Sequence, residues 1–221
     1  MLTIKQFSRM YDLEIIPVSY EGLTFGKCVW DSGIFGKTKF SHKRMPDYIF
    51  STFVTAGLMS VTEVENLLEK FKKQDFKKAS FFNENIEVDT QVVADIEIDG
   101  LIKLSEEVNT NKIVKFTFSE IRYKEIELAD RIAIDNKMDE IKATKWGEYN
   151  QDLRRAFLIT QLFYGKIKVY IKKEFKNDLD LTAKGYTLKS DVSTNSVLEY
   201  EFNNADLPFA MKLERVKHFN S

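Results

Sequence analysis

Acidic side chains recur at alternate positions in one segment of the chain, where they are spaced to act together. Residues 86–98 have the sequence IEVDTQVVADIEI, in which one parity carries the polar residues Glu87, Asp89, Gln91, Asp95 and Glu97. Because side chains alternate between the two faces of a strand, these carboxylates would share one face of a sheet. Such a face can bind a cation, but a solvated face is the simpler interpretation.

Catalytic motifs are absent from the sequence, which has no GxSxG, P-loop, glycine-rich dinucleotide turn or HExxH. His42 lies in a basic loop, His218 has no obvious partner, and Cys28 lies in a strand-like segment that favours a buried, unreactive thiol. One cysteine and two distant histidines cannot form a zinc cluster. We therefore expect no enzymatic activity, no cofactor and no metal, and an enzyme of unknown type is the weakest alternative.

Composition places the chain among globular proteins. It has 221 residues, which fit a single domain over residues 1–221, with 43% hydrophobic and 30% charged residues. A net charge of −1 argues against a nucleic-acid-binding protein, which is usually strongly basic. The first residues lack the apolar core of a signal peptide, and no apolar run is long enough for a membrane helix. We expect a protein that is soluble and cytoplasmic when it is made.

The second face of residues 86–98 is apolar. It carries Ile86, Val88, Val92, Ala94, Ile96 and Ile98. A strand of this length would extend about 40 Å, and a strand needs only about nine to eleven residues to cross a bilayer. Two interpretations stay open: a half-buried edge or hairpin strand of a soluble sheet, or a strand that enters a membrane.

Helical segments are predicted at four places. They are an amphipathic helix at residues 3–11, a short helix at 46–53, a helix at 61–76 and another at 134–145. Ser60 and Glu63 form a capping-box pattern at the start of the third. The lysines near its end either complement the helix dipole or contact a membrane or partner, and they are Lys70, Lys72, Lys73, Lys77 and Lys78.

Strands dominate the rest of the chain. Residues 156–163 form an apolar run that predicts a buried central strand, broken by Gly165, and residues 166–175 then alternate with Ile167, Val169 and Ile171 on the apolar parity. Further strands are predicted at 13–18, 24–30, 101–108, 112–121, 184–189, 197–202 and 207–216. The predicted fold class is α+β: a twisted, mostly antiparallel sheet with long amphipathic hairpins and a few peripheral helices.

The order of these elements resembles the pore-forming N-terminal domain of the gasdermin family. LEIIPV at residues 13–18 is similar to the family's first strand, and the aromatic and basic loop leading into PDYIFSTF is similar to its strand-loop and short helix. AFLITQLFYGKIKVYIKKEF at residues 156–175 resembles the apolar strand that runs into the second hairpin. LPFAMKLERV at residues 207–216 resembles the closing strand.

The resemblance implies that two amphipathic segments, residues 82–118 and 166–202, cross a membrane as β-hairpins in an oligomeric ring. The apolar parity would face lipid, and Glu87, Asp89, Asp95 and Glu97 would line the pore. Acidic lipids would be contacted by residues of the N-terminal helix and of the loop after the second strand, namely Lys5, Arg9, Trp30, Phe35, Lys37, Lys39, Lys43 and Arg44. For Trp30 and Phe35, packing in the core is an equal alternative to an interfacial anchor.

The chain departs from the family in its control elements. Animal members carry an autoinhibitory second domain and bacterial members an N-terminal lipidated cysteine, whereas Cys28 is the only cysteine here. These departures argue against control by cleavage and leave two interpretations open: a single-domain bacterial- or fungal-like member that is controlled by a protein partner or by pairing with a related protein, or an already truncated form. A different class of function stays open as well, a soluble α+β binding or immunity-type module that uses its sheet surface or the helix near residues 60–78 on a protein partner.

Overall fold

The computed structural model describes residues 2–3, 10, 12–15, 23–31, 38–39, 49–79, 86–89, 96–97, 113–144, 156–175, 186–192, 196–202 and 206–216. Strands in these ranges are β1 (Leu2–Thr3), β2 (Glu14–Ile15), β3 (Cys28–Asp31), β4 (Thr38–Lys39), β5 (Lys77–Lys78), β6 (Ile86–Asp89), β7 (Ile96–Glu97), β8 (Ile113–Glu125), β9 (Ala156–Lys172), β10 (Tyr186–Val192), β11 (Val197–Phe202) and β12 (Ala210–Arg215). Helices are α1 (Ile49–Thr55), α2 (Val61–Lys73) and α3 (Leu128–Thr144). The predicted α+β class is confirmed.

The chain divides into two compact units, each assembled from three separated segments. The first unit contains Met1–Gly22, Lys77–Tyr123 and Phe163–Met211, and the second contains Leu23–Phe76, Lys124–Leu162 and Lys212–Ser221. The single domain over residues 1–221 stays a prediction.

In the first unit, β8 is paired along one edge by two successive segments. β6 runs antiparallel to it from Ile86 opposite Phe118 to Asp89 opposite Lys115, and β5 continues the same edge with Lys78 opposite Arg122. β1 then adds to β6 in parallel. Two short strands, β6 and β7, fall within the predicted strand at residues 86–98. Residues 90–95 lie outside the described residues, so a single continuous strand stays a prediction.

The other strands of the first unit gather on β9. Its second half pairs antiparallel with β11, which in turn pairs antiparallel with β10. The start of β12 pairs with β2, and the backbone N–H of Phe209 donates to the Phe163 carbonyl at 2.8 Å. The Phe209 ring stacks on Phe118 with centroids 4.6 Å apart, so an aromatic pair closes this part of the core.

In the second unit, the core forms around α1. The Phe25 ring meets the Phe71 ring edge to face at 5.1 Å, and Phe50 lies 6.2 Å from Phe53 between ring centroids. Gly26 has φ +79°, and a Cβ there would lie 2.0 Å from the Phe50 ring. Only glycine both adopts this backbone conformation without strain and leaves the ring its space.

The helices of the second unit are joined by side chains of α2 and α3. The Lys70 ammonium contacts Asp130 at 2.7 Å and Glu127 at 3.2 Å, and the Lys137 ammonium donates to the Leu58 carbonyl at 2.6 Å. The buried side of α3 carries Ile134, Met138 and Ile141. These contacts hold the two helices antiparallel within this unit. They also show that Lys70 is already neutralised by acidic neighbours, which favours the structural interpretation of that lysine.

Three predicted boundaries were wrong. Gly165 does not break the strand, because β9 continues through it for 17 residues. α2 ends at Lys73, three residues before the predicted end, since Gln74 leaves helical geometry with ψ 140°. α3 begins at Leu128, six residues before the predicted start, because its contacts with α2 stabilise a first turn that has no clear apolar period in sequence.

The predicted capping box at the start of α2 is confirmed. The Ser60 hydroxyl accepts from the Glu63 backbone N–H at 3.2 Å, and the Glu63 carboxylate accepts from the Ser60 backbone N–H at 2.6 Å. This backbone hydrogen bond lowers the pKa of Glu63. The stabilisation is therefore present at neutral pH and is lost as the pH falls through the lowered pKa.

Ser60→Ala should lower the free energy of unfolding by about 1 kcal/mol at neutral pH, because the first turn of α2 loses its hydroxyl acceptor. Chemical denaturation measures this change. Thr62→Ala, an exposed substitution in the same turn, is the matched control and should leave stability nearly unchanged. Equal effects of the two substitutions would contradict a role for the capping box.

Candidate functional site

The candidate site is a three-stranded segment of the first unit, made of residues 166–172 of β9 together with β11 and β10. We call it the amphipathic segment. Before Gly165, β9 is mostly buried on both faces, as for Leu158, Ile159 and Phe163. After Gly165 the burial alternates, with Lys166 exposed, Ile167 buried and Lys168 half-buried. A single strand thus changes from a central core strand to a two-faced strand at Gly165.

The apolar face of the amphipathic segment continues across the strand pair. Leu198 of β11 lies directly opposite Ile171, and Tyr200 lies opposite Val169. All four side chains are at least 95% buried. Directly opposed apolar residues stabilise an antiparallel pair, so this face is both a pairing surface and part of the core.

The opposite face of the segment carries complementary charges. The Lys168 ammonium lies 2.8 Å from the Glu199 carboxylate, and Lys189 lies 3.7 Å from Glu201. The hydrogen bond to Glu199 raises the pKa of Lys168. The register of β10 slips between Leu188 and Ser190, and this bulge supplies the extra residue, Lys189. These two ion pairs of the polar face therefore lie within the segment, each joining neighbouring strands.

An exposed apolar residue marks the outer strand. Leu188 lies opposite the buried Tyr200, yet 41% of it is exposed. Burial of the segment's apolar face is thus complete on β9 and β11 and incomplete on β10.

The sequence-predicted membrane-facing residues divide between described and undescribed parts of the chain. Ile167, Val169 and Ile171 are buried here, each at most 2% exposed. Ile86, Glu87, Val88 and Asp89 form β6, and Ile96 and Glu97 form β7, of which only the backbone is described. Val92, Ala94, Asp95 and Ile98 lie outside the described residues. Facing lipid and lining a pore both stay predictions.

The predicted lipid-contacting residues are mostly undescribed. Trp30 of β3 lies opposite Lys39 of β4 in the backbone register, so the strand-loop brings these two positions together. Lys5, Arg9, Phe35, Lys37, Lys43 and Arg44 lie outside the described residues. Their contact with acidic lipid stays a prediction.

Residues of β11 belong to the site. The resemblance placed their segment in the second hairpin, but sequence analysis named none of them as site residues. Leu198, Tyr200 and Phe202 complete the apolar face, while Glu199 and Glu201 complete the polar face. The signal was present, since VLEYEF alternates apolar and acidic residues. What sequence could not provide was the pairing of β11 with β9, which decides that the two apolar faces merge.

A buried tyrosine lies just before the change in β9. Tyr164 is 8% exposed, and its burial raises the pKa of the phenol to about 12. Arg122, which contacts Asp206 at 2.7 Å, lowers this pKa, while Asp206 raises it, both more weakly than burial. Burial also raises the pKa of Tyr200. The folded chain therefore favours the neutral phenols of Tyr164 and Tyr200.

The described residues contain no group of three or more His, Cys, Asp or Glu side chains arranged to hold a metal ion. Cys28 is buried, as predicted. Within the same described ranges, every helix is too short or too polar to span a bilayer.

No family model and no curated protein sequence matches the chain. Solved structures that match it include a bacterial gasdermin from Bradyrhizobium tropiciagri, with 15% identical residues and a TM-score of 0.44. The match covers 93% of this chain and 82% of that chain. A similarity at this score does not establish a shared fold or a shared function.

Tyr164→Phe should weaken the loss of stability at alkaline pH. The phenol has a pKa near 10 when unfolded and about 12 when folded, so its contribution is complete below pH 10 and is lost as the pH rises toward 12. The wild type should lose on the order of 2 kcal/mol more than the variant across this range. Chemical denaturation at several pH values measures the difference. Tyr170→Phe, a half-buried position on the same strand, is the control, and identical pH profiles for wild type and Tyr164→Phe would contradict the assignment.

Proposed function

We propose that this protein permeabilises membranes by inserting amphipathic β-hairpins, without covalent chemistry. The observation that carries the proposal is the amphipathic segment, in which β9 and β11 present one continuous apolar face and a polar face on which Lys168 pairs with Glu199 across the strands. The motif order that resembles the gasdermin pore-forming domain supports the same function. The outcome for the cell would be permeabilisation and death, as in a defence or allorecognition response.

The energetics of insertion follow from the two faces. Ile167, Val169, Ile171 and Leu198 are sheltered from water by the protein core, and a lipid environment would shelter them as well. Apolar burial contributes roughly 25 cal/mol per Å², so exchanging core for lipid conserves much of this stabilisation. The ion pair between Lys168 and Glu199 joins strands that stay neighbours in a hairpin, so it survives the exchange.

Oligomerisation is part of the proposal, because backbone groups at an open strand edge have no partners in lipid. In the described residues β10 pairs with β11 alone, which leaves it the outer strand of this segment. Further copies of the chain would satisfy such edges in a closed ring. The proposed partners are therefore acidic lipids and other copies of this chain, with a cytoplasmic soluble form, a membrane-inserted active form and an inhibitory or activating protein as regulator.

A protein-binding module is the second candidate function, favoured by one surface. Leu128 and Ile132 lie one turn apart on α3 and are 73% and 50% exposed. A module of this kind predicts a stable complex with one protein partner and no dependence on lipid. Sedimentation with acidic liposomes separates the two candidates, because only the pore-forming protein should sediment with them.

Dye release from liposomes tests the proposed function directly. The 221-residue chain should release dye from vesicles that contain acidic lipids and not from neutral vesicles, because basic side chains near the surface each gain about 1 kcal/mol from anionic lipids. Equal release from both vesicle types would contradict the role of acidic lipid. If the folded protein releases dye from neither vesicle type, lipid-triggered insertion by this chain alone is contradicted.

Ile96→Glu should abolish dye release, because it places a charge on the strand face proposed to contact lipid. Inserting such a charge costs at most roughly 2–4 kcal/mol, and the cost falls with distance from the middle of the bilayer. Glu97→Gln is the matched control on the adjacent, opposite parity and should retain release. Circular dichroism and gel filtration establish that both variants are folded and soluble. If the Ile96→Glu variant released dye at the wild-type rate, the assignment of this strand to a lipid-facing position would be wrong.

A further inference from the structure

Strand β8 contains an irregularity that changes which side chains face the core. Glu120 has φ +52°, a left-handed conformation that is unfavourable for a residue with a side chain. Phe118 and Ile121 are both buried although they are three positions apart, whereas regular alternation would bury positions two apart. Ser119 and Glu120 therefore form a β-bulge, which restores Ile121 to the face that Phe118 occupies.

Gly165 of β9 lies directly against this bulge. A Cβ at Gly165 would come within 2.7 Å of the Ser119 carbonyl oxygen and 3.5 Å of the Ile121 Cα. Glycine is thus required where the bulged backbone projects toward its neighbour. The next residue, Lys166, forms an ion pair with Glu120. Ser119, Glu120, Gly165 and Lys166 together make a compact unit that we call the β8–β9 joint.

Both strands change character at the joint. In β9, the part before Gly165 is buried on both faces and the part after it alternates. In β8, the edge partner changes from β5, opposite residues 122–123, to β6, opposite residues 115–118. The joint therefore lies at one level of both strands, where the burial pattern of β9 and the edge partner of β8 change.

A one-residue change in alternation turns every side chain beyond it to the other face of a sheet. With the bulge present, Phe118 packs inward on the same side as Ile121. Without the bulge, and with Ile121 held in the core, Phe118 would turn outward. Val114 and Phe116 occupy alternate positions before Phe118 in the sequence, so the direction in which they point would change with it. Loss of the bulge would thus turn Phe118, which stacks on Phe209 in the core, toward the other face of the sheet, where it would be available to lipid.

We propose that the β8–β9 joint is the switch that holds Phe118 of β8 inward, and that the bulge must straighten before the first hairpin inserts. Straightening withdraws the Ser119 carbonyl from Gly165, separates Glu120 from Lys166 and relieves the left-handed conformation of Glu120. The ion pair between Glu120 and Lys166 stabilises the closed, bulged state of this switch. The inference rests on the proposed membrane insertion for its purpose, but the joint itself can be tested in solution.

A reversible crosslink tests whether the joint opens. Glu120→Cys combined with Lys166→Cys, bridged by a short bismaleimide that contains a cleavable disulfide, should abolish dye release from acidic vesicles, and reduction should restore it. The matched control is Lys168→Cys with Glu199→Cys, which bridges β9 and β11 within the segment that stays paired, and it should retain release. Cys28 is buried and present in both proteins, so the reagent-treated wild type measures any reaction there. Release by the bridged joint equal to that of the bridged control would overturn the switch.

Amide hydrogen exchange without lipid tests the joint independently of pore formation. Glu120→Gln removes the ion pair and should speed exchange of residues 117–122 on the order of two- to fivefold, as expected for one exposed pair. Lys168→Gln, which breaks the pair with Glu199, should leave this region unchanged. Glu120→Gly should exchange more slowly than Glu120→Gln, because glycine adopts the positive φ of the bulge readily.

The two experiments separate failure of the switch from failure of the proposed function. If the wild type releases no dye, the pore proposal fails, and the exchange comparison alone decides the joint. Exchange that is the same in Glu120→Gln and Lys168→Gln would overturn the role of the ion pair as closure. Exchange that is the same in Glu120→Gln and Glu120→Gly would overturn the bulge as the strained element.

Discussion

Apolar strand faces must be covered, and in the first unit this constraint is concentrated on β9. Within this unit the strand buries Phe163 and Tyr164 before Gly165 and only one of its faces after it. Its neighbours follow from that division. β11 adds Leu198 and Tyr200 opposite Ile171 and Val169, so that the covered surface grows across the sheet rather than along a single strand. The polar face stays outside, where its charges pair with one another.

Apolar and charged contacts differ in what a change of environment does to them. Ion pairs on an exposed face contribute little, with a median of about 0–1 kcal/mol, and those in the amphipathic segment lie within strand pairs. Apolar burial contributes far more, but it does not distinguish a protein core from lipid. A segment of this kind can therefore leave its core without losing its internal pairing. The contact between Glu120 and Lys166 is different in kind, because it joins the amphipathic portion of β9 to a bulge in β8.

The second unit obeys another constraint, the close packing of aromatic rings against a short helix. Phe25, Phe50 and Phe71 meet at distances typical of tilted or edge-to-face pairs, and Gly26 leaves the room that Phe50 needs. Ion pairs from Lys70 to α3 then fix the helices at their solvent side. These ion pairs account for Lys70, one of the lysines whose clustering in sequence also allowed a membrane contact.

Local pattern alone determined a good deal about this protein. Period-two alternation predicted the second half of β9 and all of β11, and the Ser60–Glu63 spacing predicted the start of α2, because each depends on neighbours within a few residues. Tertiary structure decided the rest. Glycine commonly interrupts strands, yet Gly165 lies inside a 17-residue strand. It is needed there because a side chain would collide with the Ser119 carbonyl oxygen. The bulge at Glu120 and the merging of the β9 and β11 faces likewise depend on which strands lie side by side, a long-range choice that no local pattern in the sequence encodes.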